Sequence, residues 1–231
     1  AWICFGPSTC AIEIGRDSMK RSGLIALCGA AVLLAALAAP AMADTATQPA
    51  NVYAIGGGFS FVERGQTLSG FASFQDDRLH GVQNVSFYFA GSGADRLCDA
   101  GTPDDPTDDY TGTEFFEFDP TTTRIVDASI RPDLSAAKLS ISMSGVRNRF
   151  DACTGVIVEA KHEHHTFTMA LKSTSALDTS TDAVLIDNGD GTFSPGTQTY
   201  SFRTAAGKGS VDASPASLTD ALIEHVVVTK N

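Results

Sequence analysis

Apolar residues recur at every second position through most of the chain. Val85, Phe87 and Phe89 share one face of an extended segment whose other face carries Ser86 and Tyr88. The same alternation runs through Phe59 and Phe61, Phe116 and Phe118, Leu139, Ile141 and Met143, Val156 and Val158, and Phe167, Met169 and Leu171. A period of two is the signature of strands with one buried face. Further strands are expected within 183–187, 197–204 and 224–230, the last carrying Val226, Val227 and Val228 in succession, as a strand covered on both sides would. Polar segments rich in turn residues separate these runs. Among them, Asp187-Asn188-Gly189-Asp190-Gly191 offers residues that tolerate positive φ and reads as a hairpin. No apolar segment is long enough for a major helix; residues 217–224 are expected to make at most one short helix, capped by Ser217. The expected fold is therefore all-β, an antiparallel sandwich with a barrel as the alternative, since periodicity tells which residues face inward but not whether edge strands close.

The first part of the chain has a different grammar. Met19 is followed by Lys20 and Arg21, then by an uncharged run of small and apolar residues over 24–39, then by Pro40 and the triplet Ala41-Met42-Ala43. This is the layout of a secretory signal peptide at 19–43 with cleavage before Asp44. As a helix the run spans roughly 24 Å, short of the about 30 Å hydrocarbon core, so no stable transmembrane anchor is expected after cleavage. Residues 1–18 precede the best start and are read as an upstream translation artefact, leaving 44–231 as one exported domain.

Trimming removes Cys4, Cys10 and Cys28 and leaves Cys98 and Cys153. A cysteine pair outside the cytosol is expected to oxidise, and closing so long a loop is worth roughly 4 kcal/mol in the chain-entropy account. The formal charge of −11 becomes −12 once Glu13, Asp17, Arg16, Lys20 and Arg21 are removed. Phosphate backbones are repelled by that balance, so no nucleic-acid partner is expected.

Two clusters carry possible metal chemistry. In His162-Glu163-His164-His165, alternate residues of a strand point the same way, bringing the His162 and His164 imidazoles together as zinc or copper ligands. The inward set changes parity between Val156, Val158, Ala160 and Phe167, Met169, Leu171, which predicts a turn or bulge around the histidines and makes an exposed hairpin tip the competing reading. The second cluster, Asp104, Asp105, Asp108 and Asp109, sits in a loop punctuated by Pro103 and Pro106 and is rich in the oxygen donors that calcium prefers. A solvated connection accounts for it equally. Neither cluster names a cofactor by itself. No Gly-x-Ser-x-Gly elbow occurs, and no catalytic residue is assigned.

The stretch from Leu139 through Cys153 and Gly155 into Val156 and on to Lys161, with Cys98 as partner cysteine, resembles uncharacterised small secreted proteins of actinobacteria. That resemblance implies a secreted β-sandwich with no assigned activity and transfers no functional residue. Together these features point to an exported non-enzymatic domain that binds a glycan or protein at the cell surface or in the medium. The alternative is a metal-dependent enzyme using His162 and His164.

Overall fold

The computed structural model describes residues 48–99 and 109–231. Nine strands account for nearly all of them: β1 (Ala50–Glu63), β2 (Gln66–Asp77), β3 (Val82–Cys98), β4 (Tyr110–Ile130), β5 (Ala136–Phe150), β6 (Ile157–Ser173), β7 (Asp178–Asp187), β8 (Phe193–Val211) and β9 (Ser214–Lys230). All neighbouring pairs are antiparallel and belong to one sheet in the order β6-β5-β4-β3-β2-β1-β9-β8-β7. The disulfide joins Cys98 at the end of β3 to Cys153 in the β5–β6 connection. Among the described residues no helix is long and apolar enough to cross a membrane.

The two architectures weighed from sequence differ in whether the sheet closes. Residues 205–211 of β8 pair with 167–173 of β6, so eight strands form a continuous ring of hydrogen-bonded neighbours. β7 lies outside that ring and pairs with the earlier part of β8, residues 193–202, so that β6 and β7 occupy one edge of β8 end to end. The ring is nevertheless filled like a sandwich, with opposite walls in contact. Phe167 of β6 lies 4.9 Å from Phe59 of β1 and 5.2 Å from Phe87 of β3, while the cross-strand neighbours Phe89 and Phe118 stack at 5.0 Å, all between ring centroids. Ile55, Leu68, Leu139, Ile141 and Met143 complete a core with almost no accessible surface. Close packing of this kind fills the interior among the described residues with side chains.

Tight coiling needs small residues where strands press together. A Cβ on Gly207 would sit 1.9 Å from the Ala170 carbonyl oxygen, and one on Gly145 would sit 2.1 Å from that of Asp119. Both glycines allow a backbone approach that any larger residue would block.

Three sequence expectations are corrected here. Residues 217–224 form part of β9 rather than a helix, because the ladder with β1, from Ser60↔Ser217 to Ala54↔Glu224, satisfies their backbone groups. The expected bulge near the histidines exists, but earlier: Arg149 pairs with Glu159 and Phe150 with Ile157, leaving Val158 as the extra residue. Val156 and Val158, expected on a buried face, are exposed, as is Ile157 between them. The hairpin over 187–191 is present, with Asn188 N–H donating to the Thr192 carbonyl at 3.0 Å and Gly189 and Gly191 at positive φ.

Candidate functional site

Strand parity decides what the polar half of β6 does. Its inward set runs back from Leu171 through Met169 and Phe167 to His165 and Glu163, while His162 and His164 point outward with Thr166 and Thr168. β1 behaves alike, passing from Phe59 and Phe61 to Glu63, and β5 passes from Ile141 and Met143 to Arg147 and Arg149. At one end of the ring the apolar interior therefore gives way to charge.

His165 is the deepest of these groups, at 5% exposure. Its Nδ1 lies 2.5 Å from Asp212 Oδ2, and its Nε2 lies 3.1 Å from Glu163 Oε2. Asp212 reaches it from the β8–β9 turn, where positive φ at Asp212 and Ala213 reverses the chain, and its other oxygen accepts from the Thr166 N–H at 2.7 Å. Both ring nitrogens therefore face carboxylate oxygens. The ring packs edge-on against Phe118 and Phe89, at 4.7 and 5.2 Å between centroids. His165 is thus a clasp that ties β6 to the β8–β9 turn where the ring closes.

Above it Arg147, with 13% of its side chain exposed, pairs with Glu63 and lies 3.7 Å from Glu163. Burial works against ionisation of Glu163, yet hydrogen bonds from Lys161 and His165 and the Arg147 charge outweigh it and hold this carboxyl below the ordinary carboxylate range. Nearer solvent, Arg149 bridges Glu114 and Glu159 at 3.0 Å each. Glu63, Arg147, Arg149, Glu159, Lys161 and Glu163 wall a recess of about 170 Å³ with Arg64 and Phe116. A drug-sized ligand pocket is roughly 300–1,000 Å³, so the recess admits the tip of a larger partner rather than a whole small molecule.

The rim around this mouth is apolar. Val62, Leu97, Tyr110, Phe115, Val156 and Ile157 are between 42% and 67% exposed. The ladder sets Phe115 beside Phe150 and Phe150 beside Ile157, so half-buried Phe150 joins two of these exposed residues in one cross-strand row. The disulfide anchors this region, and the Tyr110 hydroxyl donates to the Cys153 carbonyl at 2.8 Å. Exposed apolar side chains beside a polar centre are the anatomy of an interaction site.

The opposite end is shut. Tyr53 stacks with His225 at 3.9 Å, and the Arg78 guanidinium lies 3.8 Å from the Tyr53 ring centroid. Burial, aided by the Arg78 charge, pushes the His225 imidazole down from its ordinary value. On the neighbouring outward face of β9, Glu224 is 2% exposed and accepts from the Tyr200 hydroxyl. Burial raises the Glu224 carboxyl, and the hydrogen bond from Tyr200 only partly offsets it.

The residues singled out in the sequence separate as follows. Cys98 and Cys153 are bonded. His162 and His164 do share a face, and both are exposed; His164 Nε2 lies 3.3 Å from Ser142 Oγ. Among the described residues no group of three or more His, Cys, Asp or Glu side chains is placed to hold a metal ion. Asp104, Asp105 and Asp108 fall outside the described residues, whereas Asp109 is half-buried just before β4. His165 and Glu163 belong to the histidine cluster of the sequence but have no role assigned there, and Arg147 lies outside it. The signal that finds them is the alternation of Phe167, Met169 and Leu171 carried back four residues, which the apparent parity change at Val156 and Val158 obscured. No family model, no curated protein and no solved structure matches the chain.

Proposed function

We propose that the protein is an exported, non-enzymatic binding domain that presents its charged mouth and apolar rim to a macromolecular partner at the cell surface or in the medium. One observation carries this reading: the interior is filled with side chains, while the mouth combines exposed Phe115, Ile157 and Leu97 with a recess walled by Arg147, Arg149 and Glu159. Such a surface favours a partner that covers apolar area and meets both signs of charge. The Cys98–Cys153 bond suits an oxidising compartment. His165 does not line the recess and has both nitrogens engaged, which supports a structural role over proton transfer. Metal-dependent chemistry through His162 and His164 has two outward imidazoles but no third donor grouped with them among the described residues.

The test is a binding screen of the mature protein against cell-wall glycans and surface or matrix proteins. The partner that scores should be lost in Phe115→Ser with Ile157→Ser and retained in His162→Ala with His164→Ala. Absence of any saturable partner, or loss of binding only with the histidine pair, overturns the reading.

A further inference from the structure

We propose that the outer face of β5, β6 and β8, toward the end opposite the mouth, binds an acidic polysaccharide. The ladder lays out this surface. Lys138 pairs with Ala170, and Ala170 with Lys208, so two lysines flank one alanine across three strands. In the next row Ala136 pairs with Lys172, and Lys172 with Ala206, so a third lysine stands between two alanines. Neighbouring strands lie about 4.8 Å apart and alternate residues about 6.8 Å apart, which places the three lysine Cα atoms on a triangle with sides near 10, 8 and 8 Å. Arg131, from the turn before β5, borders the same groove, whose volume is about 680 Å³.

None of Lys138, Lys172, Lys208 or Arg131 takes part in an ion pair among those found between described residues. The mouth arginines, by contrast, each hold two carboxylates. Asp127 borders an adjoining recess with Lys138 and Lys208, and the exposed Asp133 feels the charge of Arg131. Three lysines on a rigid sheet face, with Arg131 at its border, are complementary to a polymer carrying regularly spaced anions.

The surroundings select the class of polymer. The floor between the cations is Ala136, Ala170, Ala206 and Gly207, shallow enough for the flat apolar face of a sugar ring to lie against methyl groups. The next row is hydroxylated, Ser140 beside Thr168 beside Ser210, with Thr168 Oγ1 and Ser210 Oγ 2.7 Å apart. Hydroxyls and lysine ammoniums together match a chain that bears both hydroxyl and carboxylate or sulfate groups. An anionic lipid surface is disfavoured because this floor offers no long apolar or aromatic side chain to insert. The site lies apart from the mouth and its proposal does not depend on that reading.

The experiment is binding of the full mature protein to immobilised polygalacturonate, with neutral dextran, poly-glutamate and phosphatidylglycerol vesicles as the other arms. Expected are saturable binding to polygalacturonate and none to dextran. Affinity should fall steeply with salt, since the Debye length contracts from about 10 Å at 0.1 M to about 3 Å at 1 M. Lys138→Gln, Lys172→Gln and Lys208→Gln combined should weaken binding by about tenfold or more, while Arg124→Gln with Lys230→Gln should not. Ala170→Glu, which adds a carboxylate between the lysines and removes no cation, should weaken it as strongly and guards against a folding defect in the triple variant. No binding to polygalacturonate, undiminished binding by both the triple variant and Ala170→Glu, or tighter binding to poly-glutamate or to vesicles overturns the proposal.

Discussion

At the mouth Arg147 and Arg149 each meet two carboxylates, whereas on the far outer face Lys138, Lys172 and Lys208 stand among alanines and hydroxyls. The two regions share strands β5 and β6 and differ in which face the cations use. Inward-pointing charges at a ring end are half-desolvated and must find partners, so the sheet supplies them from β1, β4 and β6. Outward charges remain hydrated and carry no such requirement. Pairing at the mouth is therefore part of folding, and its absence on the outer face leaves those cations available for something outside the molecule.

The comparison can be broken most severely at the covalent tie. Cys98→Ser with Cys153→Ser should cost roughly 4 kcal/mol in denaturant unfolding, because the mouth strands lose the constraint on a 55-residue separation. A loss below about 1 kcal/mol would mean that the charge network alone organises this end. Next in size is Arg147→Met, expected to cost about 3 kcal/mol by leaving Glu63 and Glu163 without their shared cation. Adding Glu63→Gln and Glu163→Gln should restore much of that loss, since uncompensated charge rather than missing volume is the defect.

Two carboxyls sharpen the contrast through pH, with opposite signs. Glu163 is held below the ordinary carboxylate value, so its contribution is present above that value and is lost as pH falls through its lowered one. Glu224 is raised, so its contribution is present below the ordinary value and is lost as pH rises through its elevated one. Thermal midpoints followed from acid to neutral pH should flatten on the acid side in Glu163→Gln. In Glu224→Gln they should rise at neutral pH and keep their acid-side slope. Identical profiles for the two variants would contradict the assigned environments.

The smallest effect belongs to the outer face. Combined Lys138→Gln, Lys172→Gln and Lys208→Gln should leave stability within about 0.5 kcal/mol of the unsubstituted protein, because hydrated, unpaired side chains contribute little to folding. A larger loss would show that these lysines are structural and would erase the distinction between the two regions.

Much of the fold is legible in the chain. Phe87 and Phe89, Leu139, Ile141 and Met143, and Phe167, Met169 and Leu171 all face inward as their alternation requires. Residues 217–224 misled because Ser217 resembles a cap, while the unsatisfied edge of β1, which claims them, lies more than 150 positions away. The candidate site was less legible. His165 follows two outward histidines and looked like part of an exposed tip; only uninterrupted strand pairing from Lys161 to Ser173 puts it inside.

By itself the sequence determined the all-β class, the cysteine pair and the inward set of most strands, because these follow from local periodicity and composition. Tertiary structure alone decided that β6 meets β8, that Asp212 and Glu163 enclose His165, and that three lysines from three strands share one face. Each of these is a relation between distant residues, set by register and closure, and a one-residue slip in the ladder would undo it.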